Sequence, residues 1–119
     1  MEALGMATYK DLRAWRAAKD VAKSVFDLAD RSWSPRHACV YDQLRRSALS
    51  VPLNIAEGHA QGAGPRCRSH FRIAFGSAVE TVVLLDFLSE LGVDAGTLPD
   101  LAGRSRSMCY RLWERSRSR

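Results

Sequence analysis

A proline stands at position 52 inside an apolar period that does not stop for it. Val40, Leu44, Ala48, Val51 and Ile55 recur at helical steps on both sides of Pro52. Within a helix, proline removes one backbone hydrogen bond and pushes the carbonyl four residues earlier out of line. Asn54, Ile55, Ala56 and Glu57 nevertheless carry the helical pattern onward. The reading is a kinked, continuous helix that starts near Pro35 and ends at a breaker cluster, Gly58 to Pro65.

Three further helices follow from the same periodicity. Between Tyr9 and Arg31 the stripe is Leu12, Trp15, Ala18, Ala22, Val25, Phe26 and Ala29, with Thr8 or a neighbour as cap and Asp11 in the first turn facing the helix dipole. Arg66 to Leu91 carries a wide stripe of Phe71, Ala74, Phe75, Ala78, Val82, Leu85, Leu88 and Leu91, closed by Gly92 as a left-handed cap. Leu98, Leu101, Met108, Leu112 and Trp113 give the last helix a thinner stripe on a basic rod. The first three helices span about 30–39 Å at 1.5 Å per residue. Matched lengths and short connectors imply an all-α, antiparallel up-down four-helix bundle with a Pro-kinked second helix. A three-helix core with a loosely docked fourth is the alternative. One domain covers residues 1–119, with flexible ends at about 1–7 and 116–119.

Several function classes are disfavoured. No apolar run is long enough to cross a bilayer, since Asp86 and Glu90 interrupt Val79 to Leu91. Met1 to Ala7 is neither basic nor long enough for a secretory signal, so a cytoplasmic location is expected. Cys39, Cys67 and Cys109 form no C-x-x-C pair, and His37, His59 and His70 have no ligand spacing, so neither a metal nor another cofactor is expected. No nucleophile and base are suggested by spacing and no phosphate-cradling loop precedes Lys-Ser/Thr, which argues against an enzyme.

Charge gives the positive hint. Eighteen Lys plus Arg oppose thirteen Asp plus Glu, a net +5. The excess gathers where helix three begins, at Arg66, Arg68 and Arg72, and along the last helix, at Arg104, Arg111 and Arg115. These six are the candidate polyanion surface, because guanidinium groups contact phosphates bidentately and a summed positive field attracts polyanions regardless of sequence. An ordinary solubilising face is the competing explanation.

The segment Tyr41 to Gly58 mixes its apolar face with Arg45, Arg46, Asn54 and Glu57, polar residues that packing alone does not require. Carbonyls freed at Pro52 offer the Asn54 amide an acceptor, although simple solvation of Asn54 and Glu57 is equally open. Either Arg45 or Arg46 is expected to pair Glu57.

In Tyr9-Lys10-Asp11-Leu12 with Trp15, Gln43-Leu44-Arg45-Arg46-Ser47-Ala48, Ser50-Val51-Pro52, Asn54-Ile55-Ala56-Glu57-Gly58, and Ala74 with Gly76-Ser77 and Glu80-Thr81, the chain resembles a known family. It is that of the bacterial four-helix-bundle proteins first recognised as products of intervening sequences in 23S ribosomal RNA genes. Leu53 departs from the family pattern, where a small polar residue is usual, as does His59-Ala60-Gln61. The resemblance implies an up-down bundle that associates into a ring, typically a pentamer, with Arg45, Arg46, Pro52, Asn54, Glu57 and Glu80 as structural signature positions. A more distant resemblance, to the accessory protein of diversity-generating retroelements, implies a reverse transcriptase or nucleic acid as partner. Helix three is apolar around more than one face, so some of Phe75, Val79, Val83, Leu84 and Phe87 are expected to be left for a partner subunit. The expectation is a non-enzymatic homo-oligomeric scaffold that binds RNA, DNA or a nucleic-acid-handling protein, the alternative being a protein adaptor with no nucleic-acid role.

Overall fold

The structure, a computed structural model, describes residues 8–117. Four helices make it up: α1 (Arg13–Ser32), α2 (Ala38–Ala60), α3 (Pro65–Glu90) and α4 (Leu98–Arg117), with single 3-10 turns at Tyr9–Asp11 and Pro35–His37. No strand occurs among the described residues. Neighbouring helices pack α1 on α2, α2 on α3, α3 on α4 and α4 on α1, and neither diagonal pair brings its Cα atoms within 8 Å. They therefore stand at the four corners of an up-down bundle. The most extensive contact is between α2 and α3.

The chain enters α1 differently from expectation. Leu12, not Thr8, is the N-cap, and no side chain caps it. The Tyr9 ring packs edge-on against Trp15 with centroids 5.0 Å apart, which holds residues 9–11 in a separate 3-10 turn ahead of the helix and places Asp11 in that turn. Ala14, Ala18, Val21, Ala22, Val25, Leu28 and Ala29 face the core. Phe26, assigned to the stripe from sequence, is 38% exposed, since it lies one residue past Val25 and so about 100° around the helix.

Helix α2 runs unbroken through Pro52, which is buried. It also runs through Gly58, expected to open the breaker cluster. A Cβ there would stand 2.6 and 2.7 Å from the Phe71 ring, so the absent side chain is a packing requirement of the α2–α3 seam and not a stop signal. The reversal itself is confined to Gln61–Gly64, where Gly62 (φ +77°) and Gly64 (φ +113°) take the left-handed region that other residues avoid. Helix α3 ends in a Schellman motif: Val93 N–H donates to Leu88 O (2.9 Å) and Gly92 N–H to Ser89 O (3.0 Å), with Gly92 at φ +92°.

In α4 the packing face is shifted from the expected one. Leu98, Ala102, Ser105, Cys109 and Ser116 point inward, while Leu101 is 38% exposed. Small residues form the contact that lets α4 approach α1 and α3. Helix α4 includes Ser116 and Arg117; Ser116 is buried and its Oγ donates to Trp113 O at 2.6 Å. Of the flexible ends expected at 1–7 and 116–119, residues 1–7 and 118–119 lie outside the described residues.

Two apolar clusters share the interior. One holds Val25, Leu28, Tyr41, Leu44, Leu85, Leu88 and Leu98; the other holds Ala18, Val51, Ile55, Ala74, Ala78 and Cys109. Tyr41 is fully buried, and its hydroxyl donates to Ser32 O at 3.2 Å, satisfying a carbonyl at the end of α1.

Candidate nucleic-acid interface and the polar seam

Along α2 the residues Gln43, Ser47, Ser50, Asn54 and Glu57 follow alternating four- and three-residue steps, which places them on one face, and α3 answers them in antiparallel order. Gln43 Nε2 donates to Glu80 Oε2. Ser47 Oγ lies 2.9 Å from Thr81 Oγ1, and Ser50 Oγ lies 2.7 Å from Ser77 Oγ. Asn54 Nδ2 donates to Ser50 O (2.9 Å) and to Ser50 Oγ (3.1 Å), while its Oδ1 meets His70 Nδ1 at 3.0 Å. Glu57 Oε2 is 3.4 Å from the same imidazole nitrogen. Both oxygens are acceptors, so Nδ1 is the nitrogen that carries the proton.

Two sequence expectations fail here. Asn54 does bond a backbone carbonyl, but that of Ser50; the one deprived of a donor by Pro52 belongs to Ala48. Neither arginine pairs Glu57, because Arg46 is eleven and Arg45 twelve residues away on the same helix, about 17 Å or more along its axis. Arg45 instead reaches Asp42 (3.4 Å) and Asp30 (3.8 Å), both largely exposed, so these pairs tie α2 to α1 only weakly. Arg46 is exposed. Glu57 and Glu80 do not face each other: their partners on the seam, His70 and Gln43, lie at its two ends.

The stretch 10–95, which takes in α1, α2, α3 and the whole of this seam, matches the model of the 23S rRNA-intervening sequence protein family. The chain belongs to that family. No curated protein matches it. In this family member Pro52, Asn54, Glu57 and Glu80, the positions expected from the resemblance to be structural, all lie on α2 or its contact with α3, and α4 falls outside the matched stretch.

Among the described residues no group of three or more His, Cys, Asp or Glu is placed to hold a metal ion. Burial pushes the Cys109 thiol up to about 12, against a smaller opposing effect of its hydrogen bond with Ser105, so it keeps its proton at neutral pH. Among the described residues no helix is long and apolar enough to cross a membrane.

The six candidate arginines divide by position. Arg104, Arg111 and Arg115 are spaced seven and four residues apart, and so form one stripe along α4, all exposed. Arg66 and Arg72 are exposed and Arg68 half-buried in the first turns of α3. Among the described residues none of Arg66, Arg68, Arg72, Arg104 and Arg111 forms an ion pair with a carboxylate. Up-down topology puts the starts of α1 and α3 and the ends of α2 and α4 at one end of the bundle. There Arg111 and Arg115 meet Arg13 around a cleft of about 480 Å³. Arg104 lies two turns away along α4, and Arg66, Arg68 and Arg72 do not line the cleft. Arg13 was missed because its company comes from α4, at the far end of the chain.

Proposed function

We propose that this family member is a non-enzymatic scaffold that assembles with copies of itself into a ring, five being the number that the resemblance implies, and that binds nucleic acid through its basic surface. One observation carries the assembly: two unlike apolar faces lie exposed on different sides of the bundle. Trp15, Phe26, Leu49, Pro52 and Leu53 line an apolar groove of about 530 Å³ between α1 and α2, with Leu53 53% exposed. Val83 (58% exposed) and Phe87 (48%), four residues apart, stand on the outward face of α3. Phe75, Val79 and Leu84, which the sequence also offers for this role, are half-buried, Phe75 among Tyr110 and Trp113. Unlike faces that complement each other make head-to-tail contacts, which close into rings when the rotation permits. A ring repeats the α4 stripe and the α3 arginines once per subunit, and the field grows with each copy.

Light scattering is expected to give a multiple of the 13.3 kDa chain mass; monomer alone at micromolar concentration ends the assembly reading. Gel shifts with structured RNA and duplex DNA at low salt are expected to show binding that weakens with salt and vanishes in Arg104→Glu/Arg111→Glu/Arg115→Glu at unchanged helicity. Absence of any shift at low salt removes the nucleic-acid role.

A protein partner is the second reading, favoured by the exposed Tyr110 beside Arg111, since aromatic and arginine side chains are enriched where proteins meet. A nucleic-acid-handling enzyme such as a reverse transcriptase fits either version. Pull-down with nuclease treatment separates them: a partner that survives nuclease contacts the protein directly.

A further inference from the structure

Resting on the assembly proposed above, we infer that the α1–α2 groove receives the α3 ridge of a second copy, and that charges beside the two faces decide which face meets which. The ridge is acidic. Val83, Phe87 and Glu90 follow four- and three-residue steps and so share one stripe of α3, with Asp86 beside it. From Ile73 to Gly103 the sequence has five carboxylates and no basic residue. Two of them are engaged within the chain, Glu80 by Gln43 Nε2 and Asp94 by the Gly96 N–H. Asp86 and Glu90 are exposed, and among the described residues neither forms an ion pair.

The groove carries the opposite sign at its middle. Lys19 and Lys23 stand on its α1 wall, and the α2 wall is uncharged. Asp27, one turn past Lys23, is the single carboxylate among the described lining residues. Lys19 lies over the Trp15 ring, 5.6 Å from its centroid, and 3.6 Å from Asp20, an exposed pair that is readily exchanged. Lys23 forms no ion pair among the described residues. The two lysines are one helical turn apart, about 6 Å, and so are Asp86 and Glu90, which lets both pairs form together.

Apolar area draws faces together without orienting them. Either face could close on its own copy about a twofold axis, and assembly would stop at a dimer. The charges oppose both of those outcomes, since groove on groove sets lysines against lysines and ridge on ridge sets carboxylates against carboxylates. Groove on ridge alone joins opposite signs. That contact leaves each copy a free face for the next, which a ring requires.

Charge exchange tests this. The parent, Lys19→Glu/Lys23→Glu, Asp86→Lys/Glu90→Lys and the fourfold variant carrying all four changes are compared by native mass spectrometry over a dilution series at low salt, with circular dichroism for helicity. The concentration at which half the chains are assembled is expected to rise roughly tenfold or more in each double variant. It should return to within about threefold of the parent in the fourfold variant, whose net charge is again +5. An equimolar mixture of the two double variants should assemble as the fourfold variant does, with both chains in each complex, because acidic grooves then meet basic ridges and basic grooves acidic ridges. Should a double variant lose helicity, Lys23→Glu or Glu90→Lys is read in its place, with a rise of about threefold expected. A parent that stays monomeric at micromolar concentration ends the assembly reading and this contact with it. Double variants that assemble as well as an assembling parent, or a fourfold exchange that fails to restore what they lose, overturn the charge pairing alone and leave the assembly standing.

Discussion

Ser47 Oγ and Thr81 Oγ1 meet at 2.9 Å across the α2–α3 seam, between the two apolar clusters of the core. Thr81 also donates to Ser77 O at 2.8 Å, and Ser47 Oγ lies 3.2 Å from Leu44 O, so the one Ser47 proton is shared between Leu44 O and Thr81 Oγ1. Each hydroxyl is nearly fully buried, 3% and 2% exposed, so each depends on the other for its remaining capacity.

Ser47→Ala and Thr81→Val are each expected to destabilise the fold by about 1 kcal/mol, whereas the double variant costs less than the sum because the contact between the two hydroxyls is lost in either single variant and can be lost only once. Urea unfolding of the four proteins measures this cycle. Strict additivity would show that the two hydroxyls do not depend on one another.

Gly58→Ala should lower stability by ~1–3 kcal/mol, even though alanine is the better helix former by about 1 kcal/mol. The new Cβ falls 2.6 Å from the buried Phe71 ring and 3.2 Å from His70 Cβ, and neither can swing away cheaply. Adding Phe71→Leu restores part of the loss. Thermal unfolding decides, and a variant as stable as the parent contradicts the close approach.

Leu53→Glu and Phe87→Glu place a charge on the two exposed apolar faces, and each alone is expected to give monomer with unchanged helicity. Mixed together they should form one-to-one heterodimers, because each retains the face the other lacks. Native mass spectrometry distinguishes their masses. Persistence of the full assembly in either variant shows that these faces are not the contact.

Cys109 links stability to alkaline pH. Its folded pKa is raised from 9.0 to about 12 by burial, so above 9 the unfolded chain releases a proton that the folded chain retains. Stability is thus undiminished below pH 9 and falls between pH 9 and 12, by ~1 kcal/mol per pH unit from this group. Cys109→Ala should flatten the profile by that slope. A thiol reagent at pH 8 should modify exposed Cys39 first and Cys109 only on unfolding. Equal slopes in parent and variant would refute the assignment.

Four helices were legible because their periodic stripes are long and Pro52 interrupts the apolar pattern nowhere. What escaped was rotation about individual helices. Leu101 outranks Ala102 in hydropathy, yet α4 turns Ala102, Ser105 and Cys109 inward because short side chains allow close approach, an advantage visible only once the neighbours are known. Phe26 was pulled into the stripe by its size, and Gly58 was read as a breaker by type, although the Phe71 ring is what demands it. Of the seam, Asn54 and Glu57 are recognisable from sequence as polar residues that packing does not require, while Gln43, Ser47 and Ser50 are not. The partners on α3 were not either, since local spacing says nothing about which carboxylate a helix opposite will present, and Arg13 joined Arg111 and Arg115 only through the return of the chain.

The shallow packing face of α4 has a mechanical consequence. Short side chains bury little apolar area per turn, so α4 has less to lose by leaving its neighbours than α2 or α3, whose contact combines large apolar residues with a buried hydroxyl ladder. Lifting the last turns of α4 would widen the end cleft like a jaw with one hinged side, while the other three helices stay clamped. Amide protons of α4 should accordingly exchange with solvent sooner than those flanking Pro52.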